Sequence, residues 1–515
     1  MSCIVAALAL FRLAHAACAA DFDIDSASIE QLQSEMAAGR LTSRTLVDHY
    51  LARIDALDRH GPRLNSVIEE NPQAREIAAA LDRERAARQL RGPLHGIPVL
   101  LKDNIDTADG MLTTAGSLAL IGSRPTKDAF LVSRLRAAGA VILGKTNLSE
   151  WANFRSQTSV SGWSARGGLT RNPYDTTRSA CGSSSGSAVG VTASFAAVSV
   201  GTETDGSIVC PSAINGIVGL KPTVGLISRG GVIPISVSQD TPGPMARTVA
   251  DAAVLLQVLA GEDAADAATL ALRQNTIPNY AEATRSASLR GVRLGIARNL
   301  AGFQKPVDAV FEQAVNALRA AGAEIVDPVT LNKAGTIDDD EAAVLLYEFK
   351  DGIERYLATR SSGPKTLAEL IQFNLREREL EMPYFEQDLF DKAQGKGPLT
   401  TPEYRKALER SRRNAGRDGI DKLLKAHHLD ALVAPTVGLA WVQDLIGGDF
   451  YSGGGSAQYA AIAGYPHLTV PAGFARELPV GISFIGPAWS EAKLLAIGAA
   501  FEQVTHARRA PKLVN

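Results

Sequence analysis

The chain has 515 residues, with 53 basic and 55 acidic side chains and a formal net charge of −2. Near-balanced charge without a block of one sign leaves no electrostatic footprint for nucleic acid or an anionic membrane surface. Hydrophobic residues make up 45% and charged residues 21%, the proportions of an ordinary globular chain that can bury a large core.

Residues 1–20 are rich in Ala, Leu and Val, contain no acidic residue, and give way to Asp21-Phe22-Asp23. With small residues at Ala14 to Ala20 as cleavage sites, they read as a secretory signal peptide preceding a mature chain 21–515, which predicts a periplasmic or secreted protein. Arg12 inside the apolar run and the lack of a basic residue at the start point the other way, to a plain N-terminal extension and a cytoplasmic protein. No later stretch is apolar for long enough to suggest membrane insertion. Beyond the leader only Cys181 and Cys210 remain. Two cysteines make no disulfide framework, and the reading favours two small buried residues over a pair.

In chain order, Ser28 with Gln31 forms a capping-box pattern, with Gly39 as a stop. A second helix is predicted over 43–57 and a charged one from Pro72 to about 88. From Leu94 the texture turns to short apolar strands and Gly-rich turns: strands at 99–101 and 141–143 with a helix at 129–138 between them, a helix of small residues at 187–194, and a strand at 197–200. A helix at 249–259 precedes a linker-like stretch at 261–289. Strand, helix and strand then follow at 292–297, 310–320 and 325–326. Residues 340–425 read as helical and charged, a cap region over a sheet; strands return at 431–434, 468–470 and 481–484 before a final helix from 490. The whole predicts one large α/β domain.

Three segments carry chemistry. Lys102 ends the uncharged run Gly96-Ile97-Pro98-Val99-Leu100-Leu101, where burial would favour the neutral amine that a general base needs. Standing alone, it would read as a strand-end lysine reaching for water. Cys181-Gly182-Ser183-Ser184-Ser185-Gly186-Ser187 fits a G-x-S-x-G elbow with Ser184 as nucleophile, served by His427, His428, His467 or His506. It also has the glycines of a phosphate cradle, without the Gly-Lys-Ser/Thr ending of a P-loop. Thr204-Asp205-Gly206-Ser207 follows a predicted strand, and a Gly before a Ser permits a sharp turn that converges N–H groups, as an oxyanion hole requires.

These segments, with Lys102-Asp103-Asn104, Gly144-Lys145-Thr146-Asn147 and Gly219-Leu220-Lys221-Pro222-Thr223, resemble the amidase signature family over most of residues 25–510. Within it the chain is similar to bacterial peptide amidases at Gly162-Trp163-Ser164-Ala165-Arg166-Gly167-Gly168, at Glu203 to Pro211 and at Leu346-Tyr347-Glu348-Phe349-Lys350. The resemblance implies a single-domain fold, a mixed twisted β-sheet covered by helices on both faces. It implies Lys102 as base, Ser183 as a bridging serine after a cis peptide, and Ser207 as nucleophile. The backbone N–H groups of Thr204, Asp205, Gly206 and Ser207 would form the oxyanion hole. Most members carry Gly-Gly-Ser-Ile-Arg where this chain has Asp205-Gly206-Ser207-Ile208-Val209, which argues against a substrate-carboxylate role at Val209.

The implied reaction is hydrolysis of a peptide's C-terminal carboxamide to acid and ammonia, with no cofactor, no metal and no partner beyond a small peptide amide, by a monomer. Trp163 is a candidate wall beyond the scissile nitrogen, or else a core tryptophan plugging its loop; Ser184 is a further candidate for substrate contact. The alternatives are the amidotransferase subunit of a tRNA-dependent complex, a broad acylamide hydrolase of the same family, and a non-catalytic binding module on the same fold.

Overall fold

Capping decides where the first helices begin. In the computed structural model, which describes residues 22–331, 335–451 and 454–513, helix Ile29–Ala37 starts at Ser28, whose side chain accepts from Gln31 N while Gln31 reaches back to Ser28 N. Thr42 does the same for Ser43–Arg53. The leader expected at 1–20 lies outside the described residues.

Among the described residues there are thirteen strands: β1 (Val67–Glu70), β2 (Pro98–Lys102), β3 (Val141–Thr146), β4 (Trp163–Ser164), β5 (Gly168–Leu169), β6 (Val198–Glu203), β7 (Val218–Lys221), β8 (Thr241–Ala246), β9 (Arg293–Ala297), β10 (Glu324–Val329), β11 (Ala431–Pro435), β12 (His467–Ala475) and β13 (Leu478–Ile485). Strands β4 and β5 form a separate two-stranded ladder; the other eleven make one sheet in the order β1-β3-β2-β6-β8-β7-β12-β13-β11-β9-β10. It is mixed. β2 runs parallel to β3 and β6, and β9 parallel to β10 and β11, while the central pairs are antiparallel. The register Leu101 opposite Val200 brings the ends of β2 and β6 to one edge, so Lys102 and Thr202 finish side by side.

Both faces of the sheet are covered. Met245 and Ala246 are neighbours in β8 but join different hydrophobic clusters, as do Leu432 and Val433 in β11, because successive strand residues point to opposite faces. The largest cluster joins strand residues to helices Ile29–Ala37, Val249–Leu259 and Glu491–Thr505. The small-residue helix Ser185–Thr192 is buried along its whole length, and at Gly190 a Cβ would meet Leu100 Cδ1 at 2.9 Å. The region expected to be a helical cap holds helices Ile337–Ala358, Leu367–Arg376, Asp388–Gln394, Pro402–Ala415 and Lys422–His427. It docks through polar ties: Tyr356 Oη donates to Asp106 Oδ1 at 2.8 Å, and Glu348 Oε2 accepts from Ser236 Oγ at 2.5 Å and Ser238 N at 2.9 Å.

Two expectations need correction. The stretch 261–289 is no linker, since it contains a 3₁₀ helix, Ala267–Arg273, and helix Tyr280–Arg285, whose Tyr280 is buried in the main core. Strand β8 goes unseen in the sequence because Thr241-Pro242-Gly243-Pro244 carries turn residues; its prolines sit inside the sheet between β6 and β7.

Candidate active site

Lys102 is fully buried at the end of β2. Its Nζ donates to Ser183 Oγ at 2.7 Å, Thr202 Oγ1 at 2.9 Å and Thr202 O at 3.1 Å, and Asn104 Nδ2 also donates to Thr202 Oγ1, at 3.0 Å. Burial pulls the lysine pKa down to about 7, against the opposing pull of the Asp240 and Glu203 carboxylates. A neutral amine is therefore available near pH 7, hydrogen-bonded to a serine hydroxyl. The Gly182–Ser183 peptide is cis, and a Cβ at 182 would collide with Ser149 Oγ, so this turn needs glycine. Ser149 N donates to Ser183 O at 3.1 Å and holds the turn from the far side.

Ser207 lies in the turn between β6 and helix Val209–Ile214 and is 8% exposed. Gly206 has φ +79°, a left-handed conformation that reverses the chain just before the serine. Ser184 N donates to Ser207 O at 3.1 Å, which joins the two serine turns. Glu203 Oε2 accepts from Ile208 N at 2.7 Å and Val209 N at 3.0 Å. The N–H groups of Thr204, Asp205, Gly206 and Ser207, the four expected to form an oxyanion hole, have no acceptor among the described residues.

A cleft of about 620 Å³ opens over both turns, lined by Gly182, Asp205, Gly206 and Val209, with Trp441 and Tyr451 among its other walls. Cys181 and Cys210 also line it, and they are joined in a disulfide, with Cα atoms 6.1 Å apart. This corrects the expectation of two separate buried thiols. The residues are 29 apart in sequence, and their place beside the two serine turns allowed that they lie near each other without showing that they pair.

Two proposed substrate contacts are displaced. Ser184 is fully buried, its Oγ donating to Thr202 O at 3.0 Å and accepting from Thr202 N at 3.2 Å, so it ties the turn to β6 and shows no surface to the cleft. The elbow reading fails with it. His467 is buried against Ser483 Oγ at 2.6 Å, with its pKa driven down to about 3 by burial and Lys221, and His427, His428 and His506 are exposed at helix ends. Trp163 packs edge-on to Tyr384 and Phe385 and forms no part of the cleft wall. The wall aromatics are Phe303, Trp441 and Tyr451; the last two meet edge to face at 5.8 Å beside a Gly-rich run, a pairing of aromatics with glycines that was the available signal. Thr202, which holds Lys102 in place, was also missed; a threonine inside a strand carries no mark of function.

A buried lysine with its pKa lowered to about 7 and hydrogen-bonded to one serine, and a second serine on a turn tied to the first by the Ser184 N to Ser207 O bond, are equipment for acyl transfer without histidine. The comparisons agree on the class. The Amidase family model matches residues 45–495, and the chain belongs to that family of amide hydrolases with a serine nucleophile. The native peptide amidase from Stenotrophomonas maltophilia is 54% identical, superposes with a TM-score of 0.90, and is covered over 99% of its chain by 95% of this one. An amidase of Arabidopsis thaliana is 42% identical over 504 residues, 96% of this chain and 93% of that one. A glutamyl-tRNA(Gln) amidotransferase subunit of Chloroflexus aurantiacus is 37% identical over 501 residues, 95% and 98% of the two chains.

Proposed function

We propose that this amidase hydrolyses the C-terminal carboxamide of peptides to the free acid and ammonia, with Ser207 as nucleophile, Ser183 as proton bridge and Lys102 as base. The observation that carries the mechanism is the 2.7 Å contact from Lys102 Nζ to Ser183 Oγ by a lysine whose pKa is near 7. A serine hydroxyl is too weak an acid to attack an amide unaided. Ser183 can give its proton to Lys102 while taking that of Ser207, since a hydroxyl both donates and accepts. Ser207 Oγ then bonds to the carbonyl carbon, and the oxygen's charge falls on the N–H groups of the turn. The proton returns through Ser183 to the leaving nitrogen, the C–N bond breaks, and ammonia departs. Water enters by the same relay and releases the peptide acid.

The substrate class draws support from the similarity to a peptide amidase and from an open cleft with aromatic walls able to hold an extended chain. A monomer acting on small peptide amides is the matching proposal for partners. Export to an oxidising compartment draws support from the Cys181–Cys210 disulfide, since such bonds persist mainly outside the reducing cytosol. Mass spectrometry of one amidated peptide after incubation tests the reaction. The expected result is a gain of about one dalton with ammonia released and no shorter fragments, as replacement of NH₂ by OH requires. Internal fragments or an untouched amide would refute it.

A further inference from the structure

A carboxamide and the carboxylate it becomes have almost the same shape. An enzyme that converts one into the other cannot separate substrate from product by fit; only charge and hydrogen-bond donors differ. The cleft has a group suited to that distinction. Among the described residues lining it, the charged ones are Asp205 and Asp449, and none is Lys, Arg or His. The two carboxylates differ in their partners. Asp449 Oδ1 accepts from Trp441 Nε1 at 3.1 Å and its Oδ2 from Ser161 N at 3.0 Å, so it is occupied in holding the cleft wall. The Asp205 carboxyl has no hydrogen-bond donor and no ion-pair partner among the described residues, although it opens onto the cleft two residues before Ser207.

Asp205 is exposed where it lines the cleft, so its carboxyl is accessible to a bound substrate. The negative fields of Glu341 and Glu203 also reach this part of the cleft, with Lys221 pulling the other way. A second negative charge brought into this recess would meet those fields. Apolar Val209 forms the other side of the floor and offers no countercharge.

We propose that Asp205 makes the cleft discriminate carboxamide from carboxylate: it faces the NH₂ group of the bound amide, and it repels the carboxylate left by hydrolysis. The inference rests on the carboxamide reading given above. Attack by Ser207 brings the scissile carbon against the turn that carries Asp205, so the group bonded to that carbon enters the field of this side chain. The peptide acid is thereby expelled, and free peptide acids compete poorly with amides of the same sequence.

The test compares one peptide as amide and as acid, at about pH 8.5, above the Lys102 value of about 7, so that the lysine is neutral. KM for the amide and the inhibition constant of the acid are measured in the wild type, in Asp205→Asn and in Asp205→Gly. Asparagine still accepts from NH₂ but also donates to a carboxylate, so the ratio of inhibition constant to KM should fall at least about tenfold. In the glycine variant it should fall less, and in the same direction. Calorimetric binding of the acid to Ser207→Ala, with and without Asp205→Asn, gives the same comparison without turnover. An unchanged ratio, or both constants moving together as a merely structural change would make them, overturns the role of Asp205. A wild type that releases no ammonia from the amide instead overturns the functional reading itself.

Discussion

Lys102 can serve as a base because the fold strips it of water. The sign of its pH dependence follows. With a pKa of about 7, the amine is protonated and inactive below that pH and neutral above it, so kcat should rise as pH increases through about 7 and then level off. The same depression means that between about 7 and the unfolded lysine value the unfolded chain binds more protons, so this residue makes the fold gain stability as pH rises. Lys102→Ala and Ser207→Ala should each lose about a thousandfold or more in ammonia release, and the double variant little beyond either, because parts of one relay do not add. Circular dichroism on each variant checks that the fold remains. Trp163 and Trp441 separate packing from binding. Trp163→Ala should lower stability by about 3–5 kcal/mol with little change in KM. Trp441→Ala should raise KM, since Trp441 lines the cleft. Melting temperature and kinetics on the two variants decide between these assignments. At this scale the sequence put Lys102, Ser183 and Ser207 forward through the family resemblance of their motifs, and the fold brings the Lys102 and Ser183 side chains together at 2.7 Å. The directions of Ser184 and Trp163 were not legible, because a side chain's direction depends on a backbone path that composition does not record.

The elements explain why the two serine turns meet. Helix Ser185–Thr192 starts from one turn and helix Val209–Ile214 from the other, and β6 lies between them in sequence. Alternating apolar runs and Gly-rich turns announced most strands, and β2, β3, β6 and β9 through β13 stand close to where those runs fall. Strand order was not announced. β2 pairs with β6 across nearly a hundred residues, and such a pairing leaves no local periodic trace. The disulfide is the covalent statement of the same meeting. It closes a loop over the sequence separation of 29 residues, for which chain entropy predicts a stabilisation of about 3–4 kcal/mol. Cys181→Ser with Cys210→Ser should therefore lower the melting temperature measurably, and wild type treated with a thiol reductant should follow it. Activity should fall too, because both cysteines adjoin the turns that carry Ser183 and Ser207. Coincident melting curves for oxidised and reduced protein would show that hydrogen bonds alone hold the turns.

Across the whole molecule, the helical region is joined to the catalytic half by buried charge. Arg155, Glu150 and Glu381 have fully buried side chains. Arg155 Nη1 donates to Glu150 Oε1 at 2.5 Å and to the main-chain oxygen of Glu381, and the guanidinium lies over the Phe385 ring at 4.2 Å. Glu150 Oε2 accepts from Ala165 N at 2.7 Å, and Glu381 Oε1 accepts from Ser117 Oγ at 2.8 Å and Leu118 N at 2.6 Å. One arginine thus binds the segment after β3, the β4–β5 ladder and the helical region into one unit. A lone arginine in Asn153-Phe154-Arg155-Ser156 gives no sign of this, since its partner at Glu381 is supplied by a distant segment. Replacing a buried ion group with apolar residues can be neutral, but removing one member leaves its partners uncompensated. Arg155→Met should therefore cost about 3–5 kcal/mol in denaturant unfolding. Burial already holds the Glu150 carboxyl well above its ordinary pKa and raises that of Glu381; the arginine is the main opposing influence at Glu150, and at Glu381 it comes second to the Ser117 hydroxyl. Without the arginine both carboxyls should rise further and fold in their protonated form. A group whose folded pKa exceeds its unfolded value stabilises at low pH and loses that contribution as pH climbs. The deficit of Arg155→Met relative to wild type should then be largest near neutral pH and shrink toward about pH 5, where the carboxyls can take up protons. A deficit independent of pH would mean that the arginine acts by packing against Phe385 and Trp163 rather than by charge.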